Sequence, residues 1–248
     1  MLAGKAVNMV QRENSAENLV GVAVAEPIGL RDAGGSPCAI AFEGLTKRYG
    51  GTVVLDGVLA DLEKGKIHGL IGRNGSGKTV LLKCLCGLTR FDEGCVKIRG
   101  RKELPFKRLP AGIGVIIEAP GFSPQYSGMR NLLHLAKLQN RAGKDEVRQA
   151  MAAVGLDPAS RKHVGKYSLG MRQRLGIAQA FMEGQDILLL DEPMNGLDKE
   201  GLVDMRELFL RLKEQGRTIV LASHSSEDIG ILCDTVHELE HGRMKRIR

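Results

Sequence analysis

One run of eight residues has the composition and spacing of a phosphate-binding loop. It follows the pattern G-x-x-x-x-G-K-[ST] and reads Gly72-Arg73-Asn74-Gly75-Ser76-Gly77-Lys78-Thr79. Its glycines let backbone N–H groups converge on phosphate oxygens, and the N-terminus of the helical run that follows from Val80 adds positive partial charge. In this pattern the Lys78 ammonium reaches the β- and γ-phosphates, and the Thr79 hydroxyl ligates Mg²⁺. The run predicts nucleotide binding but does not decide the reaction.

A second run, at residues 186–192, reads as an apolar strand that ends in two adjacent carboxylates, Asp191 and Glu192. Successive residues of a strand point to opposite faces, so we expect the two carboxylates to have separate roles. We assign Asp191 to Mg²⁺, through water, and Glu192 to polarising the water that attacks the γ-phosphate. The pair favours hydrolysis over binding alone.

The elements that must position these groups alternate between strand and helix. The phosphate loop lies between the apolar run 67–71 and the helical run 80–85, and residues 129–156 have helical spacing of apolar residues. Further strands are predicted at 39–42, 53–55, 96–98, 115–117, 187–190 and 218–222, and further helices from about 170, at 202–212 and after 223. Such alternation predicts an α/β fold with a mostly parallel sheet covered by helices.

Composition narrows the class of protein. The chain has 248 residues, of which 43% are hydrophobic and 26% charged, which excludes a wholly disordered or collagen-like chain. No apolar stretch approaches the length of about 18 residues that a membrane helix needs. Five cysteines without a C-x-x-C pair are typical of a reducing compartment. Residues 1–36 lack periodicity and predict a flexible extension before one domain at 37–248. The formal charge of +7 does not by itself choose among nucleic acid, anionic membrane and phosphate ligands.

Between the loop and the carboxylates, the sequence resembles the ATP-binding cassette (ABC) family. The run that carries the resemblance is Tyr167-Ser168-Leu169-Gly170-Met171-Arg172-Gln173-Arg174. In that family a signature motif stands between the phosphate loop and the carboxylate strand; here Ser168 lies 90 positions after Lys78 and 23 before Asp191. The resemblance covers about residues 38–242 and implies a P-loop NTPase core with an antiparallel β-subdomain and a helical subdomain at about 122–180.

The resemblance also implies roles that the spacing alone does not give. Tyr49 would stack on adenine, and the Ser168 hydroxyl and the Gly170 N–H would bind phosphate as a helix N-terminus does. His224, after the strand 218–222, would contact and sense the γ-phosphate as a catalytic group beside Glu192 and Lys78. Asp198, in the run Asn195-Gly196-Leu197-Asp198, would link two nucleotide sites.

Two sites imply two cassettes. In the family, the signature of one subunit closes on the ATP held by the phosphate loop of the other, so this chain implies a homodimer or a paired second cassette. The family further implies transmembrane permease subunits and a cytoplasmic location at the inner face of the membrane, with no nucleic-acid partner. The helical insertion and the loop after Glu118, near residues 122–129, would form the coupling surface.

One position departs from the family pattern. The usual glutamine after the strand 115–117 is Glu118, at a position that should touch Mg²⁺ and the attacking water. A carboxylate there strengthens Mg²⁺ binding yet disfavours the anionic γ-phosphate. This glutamate, the form of the signature and the run 192–198 resemble the subfamily that exports bacitracin, lantibiotics and other drugs.

Two alternatives stay open from the sequence. A soluble ABC-type ATPase acting on ribosomes or DNA usually carries two cassettes or a long coiled-coil insertion, and neither a second phosphate loop nor heptads are present in the sequence. A P-loop kinase acting on a small molecule would leave the run 168–174 unexplained.

Overall fold

Two β-sheets with helices packed against them make up the described part of the chain. A computed structural model of the protein describes residues 38–103, 109–118 and 121–248, so the extension predicted at 1–36 lies outside the described residues. In chain order the strands are β1 (Cys38–Tyr49), β2 (Thr52–Glu63), β3 (Ile67–Ile71), β4 (Glu93–Ile98), β5 (Arg101–Glu103), β6 (Ile113–Ile116), β7 (Ile187–Asp191), β8 (Thr218–Ala222), β9 (Thr235–Glu240) and β10 (Arg243–Arg246). The α-helices are α1 (Lys78–Leu85), α2 (Gly128–Gln139), α3 (Lys144–Ala153), α4 (Leu169–Phe181), α5 (Lys199–Glu214) and α6 (Ser226–Leu232).

The larger sheet has six strands in the order β10-β9-β3-β8-β7-β6. Every neighbouring pair is parallel except β9 and β10. The smaller sheet is antiparallel, in the order β2-β1-β4-β5. The predicted α/β fold, with a mostly parallel sheet and an antiparallel β-subdomain, is confirmed. Because β3, β6, β7 and β8 run in one direction, their carboxyl ends meet at one edge of the sheet.

The larger sheet separates two hydrophobic cores. On β7, Leu188 and Leu190 pack into one core, and Ile187 and Leu189 pack into the other. The first core contains residues of α2, α3, α4, α5 and α6, and the second contains α1 and the antiparallel sheet. Both faces of the central strands are therefore covered, which is why these strands read as continuous apolar runs.

The helical pattern predicted over 129–156 is two helices in the structure. Asn140 ends α2 in the left-handed conformation, with φ 52°. Its short polar side chain is tolerated there. The Glu146 carboxylate then accepts a 2.8 Å hydrogen bond from the N–H of Gly143, at the start of α3. The predicted helical subdomain, at about 122–180, would contain α2, α3 and most of α4, and its boundaries stay a prediction.

Several strand boundaries differ from the predicted ones. β1 and β2 each have 12 residues, far more than the predicted runs at 39–42 and 53–55. Both strands carry exposed polar residues on one side, so an apolar run marks only part of each. β6 occupies Ile113–Ile116, two residues before the predicted position, and β9 and β10 were not predicted.

A partly buried ion pair ties the two sheets together away from the site. Arg99, in the β4–β5 turn, donates from Nε to Asp186 Oδ2 at 2.8 Å and from Nη2 to Oδ1 at 2.5 Å. The two side chains are only 10% and 14% exposed. Asp186 directly precedes β7, so the turn of the smaller sheet is anchored to a central strand of the larger one.

None of the helices in the described ranges has both the length and the apolar content needed to cross a bilayer.

Candidate nucleotide site

A cleft of about 520 Å³ lies where the carboxyl ends of the parallel strands meet. It brings together residues of the predicted phosphate loop, both predicted carboxylates and Glu118, the residue that departs from the family pattern. Its lining residues are Val54, Asn74, Gly75, Gly77, Lys78, Thr79, Val80, Glu118, Gln173, Asp191, Glu192 and Asn195. Residues that are up to 141 positions apart in the sequence, from Val54 to Asn195, therefore face one volume.

The phosphate loop has a backbone that only glycine adopts readily. Gly77 precedes α1 with φ 106°, in the left-handed half of the conformational map. At Gly72 a Cβ atom would lie 2.3 Å from the carbonyl oxygen of Leu239, which leaves no room for a side chain. These two constraints curl the loop around the amino end of α1, whose N–H groups carry positive partial charge.

The ammonium of Lys78 is buried inside the loop. Its Nζ donates to the carbonyl oxygens of Gly72 at 2.7 Å and Arg73 at 3.2 Å. These neutral acceptors leave the positive charge of Lys78 available to an anion that enters the loop.

An unsatisfied donor in the loop supports the fit to phosphate. Ser76 Oγ is buried and has no hydrogen-bond partner among the described residues. Buried polar atoms of this kind are rare in folded proteins and call for an explanation. At Gly75 the space beyond the backbone is open. The loop therefore has unused donors, a cation and open space, as a polyphosphate requires.

Thr79 and Asp191 meet across the floor of the cleft. Thr79 Oγ1, in the first turn of α1, donates to Asp191 Oδ2 at 2.5 Å, at the end of β7. Hydroxyl and carboxylate oxygens are the ligands that Mg²⁺ prefers, usually with waters and substrate phosphates completing the octahedron. The donor set fits the Mg²⁺ site predicted for Thr79 and Asp191.

Glu192 is held by its backbone and by its side chain. The residue has a left-handed backbone, with φ 48°, which few non-glycine residues adopt. Its N–H donates to the carbonyl of Ala222 at 2.9 Å. Its Oε2 lies 2.9 Å from Nδ1 of His224, which follows β8. The structure therefore brings two of the three predicted catalytic side chains, Glu192 and His224, into direct contact.

Glu118 lines the same cleft but has a cation of its own. Its Oε1 accepts a hydrogen bond from Nζ of Lys83, on α1, at 2.5 Å. This hydrogen bond is the main cause that raises the pKa of Lys83, so the lysine is charged at neutral pH. The ion pair offsets the additional negative charge that the glutamate brings to the site.

Seven residues predicted for nucleotide binding do not line this cleft: Gly72, Arg73 and Ser76, which belong to the phosphate loop, and four that lie outside the loop. The ring of Tyr49 is half-exposed and lies under the Lys47 ammonium, 4.7 Å from its centroid. The Ser168 hydroxyl accepts from the N–H of Met171 at 3.1 Å and caps α4. The other two are Gly170, which packs against the Gly196 carbonyl, and Asp198, whose Oδ1 accepts from the N–H of Gly201 at 2.9 Å and caps α5. Their nucleotide roles stay predictions.

Sequence reasoning missed three residues of the cleft, Val54, Gln173 and Asn195. Val54 belongs to the antiparallel sheet, and nothing in its local pattern indicates a site. Gln173 lies in the run 167–174 and Asn195 in the run 192–198, and in both runs other residues were assigned to the site. Their signal was their position inside these two runs, beside residues that were assigned to the site.

The arrangement combines the parts that phosphoryl transfer to water needs. The cleft holds a buried cation and a helix N-terminus for phosphates, oxygens for a metal ion, and an oriented carboxylate for a water molecule. Positioning and electrostatics do most of the work in this reaction class, and both are built into one edge of the sheet.

Comparison with known proteins agrees with this geometry. A family model described as ABC transporter matches residues 55–195. The ABC transporter ATP-binding protein YybJ of Bacillus subtilis (strain 168) is 43% identical over 81% of this chain and 92% of its own length. The bacitracin transport ATP-binding protein BcrA of Enterococcus faecalis is 41% identical over 83% of this chain and 67% of its own. The lantibiotic transport ATP-binding protein SrtF of Streptococcus pyogenes is 33% identical over 83% and 88%.

Solved structures share the fold. The dimeric structure of a bacterial ABC transporter cassette superposes with a TM-score of 0.75 at 22% identity. The match covers 84% of this chain and 99% of that one.

Proposed function

The chain belongs to the ABC transporter family and is an ATPase of that family, and on this premise we propose that it drives an exporter of peptide antibiotics, drugs or related compounds. In the proposal, two cassettes close around two ATP molecules, and hydrolysis reopens them. The cycle moves separate transmembrane permease subunits between inward-facing and outward-facing states. The protein acts at the inner face of the membrane, as a peripheral subunit.

The contact between Glu192 and His224 carries the hydrolytic part of the proposal. It orients a carboxylate beside Asp191, in the cleft that also holds Lys78. A carboxylate fixed in this way polarises a water molecule for attack on the γ-phosphate. The imidazole of His224 holds the carboxylate in this orientation. The His224 side chain is 64% exposed, so it is accessible to a ligand.

Lys78 and the loop supply the electrostatic part of catalysis. On binding ATP, the ammonium exchanges the carbonyls of Gly72 and Arg73 for phosphate oxygens, and Ser76 and the N–H groups of Gly75 and Gly77 complete the cradle. Thr79 and Asp191 would hold Mg²⁺, with Glu118 at the same wall of the cleft. When bound, Mg²⁺ neutralises charge on the phosphates.

The placement of the signature residues supports a closed dimer. Ser168, Gly170 and Asp198 lie outside the cleft of their own chain. The amino end of α4 therefore has no nucleotide of its own to bind, and a second copy related by a two-fold axis would offer one. A dimeric arrangement is known for the solved cassette of the same fold.

The choice of an exporter rests on relatives. The names of two of them refer to bacitracin and lantibiotic transport. The coupling surface in the proposal consists of α2, α3 and the loop after Glu118, of which residues 119–120 lie outside the described ranges. The exported compound is selected by the permease subunits.

The dimer is tested with Glu192→Gln. The variant keeps the shape of the side chain but polarises water poorly, so ATP and Mg²⁺ should trap a dimer in light scattering coupled to size exclusion. The same variant with ADP should stay monomeric, as should Glu200→Gln with ATP, because Glu200 lies outside the cleft. A monomeric Glu192→Gln protein at saturating ATP would contradict the closed dimer.

The transport partner is tested by capture from native membranes. Glu192→Gln protein with ATP should retain a multi-span membrane protein, and the same protein with ADP should retain less of it. Recovery of ribosomes or nucleic acid in place of a membrane protein would overturn the exporter and favour a soluble ABC-type ATPase.

A further inference from the structure

One face of α4 contacts both ends of the turn that carries Glu192. Leu169 and Gln173 lie four residues apart near the start of the helix, so their side chains project from the same face. That face is directed toward residues 192–196, which leave the carboxyl end of β7. The contacts of the two side chains with this turn are of different kinds.

Gln173 makes the polar contact. Its Nε2 donates to the carbonyl oxygen of Glu192 at 3.3 Å. The residue is only 8% exposed and lines the nucleotide cleft. The same carbonyl accepts the N–H of Asn195 at 3.2 Å, which closes the turn. Since Glu192 has a left-handed backbone, its conformation persists only when its surroundings hold it, and Gln173 supplies part of that hold.

Leu169 makes the apolar contact. A Cβ atom at Gly196 would lie 2.5 Å from Cδ2 of Leu169, so the leucine packs directly on the backbone of the turn. Gly196 has φ 77°, which also favours glycine at this position. One face of α4 therefore touches the turn at its first residue and at its last.

We propose that Gln173 is a positioning residue for the hydrolytic reaction: it fixes the Glu192 carbonyl and so aims the Glu192 carboxylate at the attacking water. The inference rests on the proposed function, in which the amino end of α4 binds the nucleotide of the other cassette. A shift of α4 on closing over that nucleotide then reaches Glu192 of its own chain through Gln173.

The test is Gln173→Met, which keeps the length and packing of the side chain and removes the donor. We expect kcat for ATP hydrolysis to fall on the order of 10-fold to 100-fold, because small misplacements of a reacting group are costly. The affinity for ATP, measured by equilibrium binding in EDTA, should change less than about 2-fold, since Gln173 contacts no phosphate-loop residue in the proposal. The matched control is Gln185→Met, because Gln185 is also buried but bonds to Glu183 away from the cleft.

A double variant separates positioning from a merely structural role. If Gln173 acts through Glu192, Gln173→Met adds no further loss to the residual activity of Glu192→Gln, because the two residues work as a unit. The double variant should also form the same ATP-dependent dimer as Glu192→Gln alone. If the loss of activity in the double variant equals the product of the losses in the two single variants, the inference is overturned. A normal kcat for Gln173→Met would also overturn it.

Failure of the inference is distinguishable from failure of the proposed function. A Glu192→Gln protein that stays monomeric with ATP contradicts the closed dimer and, with it, the link between the two sites. A Glu192→Gln protein that dimerises, together with a fully active Gln173→Met protein, contradicts the positioning role alone.

Discussion

The ammonium nitrogen of Lys83 lies 2.5 Å from the carboxylate Oε1 of Glu118, across 35 residues of sequence. The cleft is thus lined by a third carboxylate besides Asp191 and Glu192, and the cation that compensates it reaches it from α1 without lining the cleft. Since polyphosphate is itself strongly anionic, the compensation bears directly on nucleotide affinity.

Lys83→Gln should weaken ATP binding by roughly 3-fold to 10-fold, because it leaves Glu118 uncompensated near the phosphates. Titration of a fluorescent ATP analogue in EDTA measures the change. The double variant Lys83→Gln with Glu118→Gln should bind close to the wild-type affinity, since the net charge of the cleft is restored. A double variant as weak as Lys83→Gln would mean that Lys83 acts on the nucleotide and not through Glu118.

His224→Ala should lower kcat on the order of 10-fold to 100-fold while ATP binding is retained, because Glu192 loses the group that orients it. Steady-state hydrolysis and equilibrium nucleotide binding measure the two effects. His241→Ala is the control, since the His241 side chain is 91% exposed and lies in the β9–β10 turn. Equal losses in both variants would remove the special role of His224.

Asp186→Asn should lower the free energy of unfolding by about 3 to 5 kcal/mol, because it strands the partly buried guanidinium of Arg99. Denaturant titration without nucleotide measures the loss. Asp56→Asn breaks the ion pair with Arg243, whose side chain is 81% exposed, and should cost about 1 kcal/mol or less. Similar losses at the two positions would show that burial does not set the cost.

Acidification should destabilise the fold between about pH 6.5 and pH 4 through His237. Burial first, and then the nearby His68 and Arg246, lower the pKa of this residue from its ordinary value of 6.5 to about 4. The unfolded chain therefore binds the proton more readily, so stability is fully present above pH 6.5 and falls as the pH drops toward 4. At most about 3 kcal/mol depends on this residue.

His237→Gln measures that contribution. The free energy of unfolding of the variant should depend less on pH than that of the wild type over this interval. The burial of His68 also lowers its pKa, so part of the pH dependence should persist. If the free energy of unfolding of His237→Gln depends on pH as steeply as that of the wild type, other groups cause the effect.

Motifs were predictable from the sequence, and so was the meeting of distant motifs that belong to one site, but the ion-pair partner of Glu118 was not. The predicted strands at 67–71 and 218–222 coincide with β3 and β8, because each is an apolar run bounded by turn residues. The phosphate loop and Asp191 meet as the order of parallel strands requires. The partner of Glu118 was not predictable, since no local pattern joins residues 35 positions apart.

The helix ends show a structural role that the sequence analysis left out. Ser168 and Asp198 were assigned to nucleotide contacts, and the structure shows each one capping a helix. Serine and aspartate before a helix are the usual N-cap residues, so this role was available from composition alone. Capping and ligand binding use the same side-chain oxygen, and only a second copy of the chain can show whether one residue serves both.

The division of the large sheet into two cores has a consequence for how such a protein diversifies. Adjacent residues of β7, such as Leu188 and Leu189, belong to different cores, so a change at one position is repacked by a different set of neighbours from a change at the other. Substitutions without shared contacts combine almost additively. Changes on the side of α2 and α3 can therefore accumulate while the packing on the side of α1, which holds the phosphate loop, stays constant.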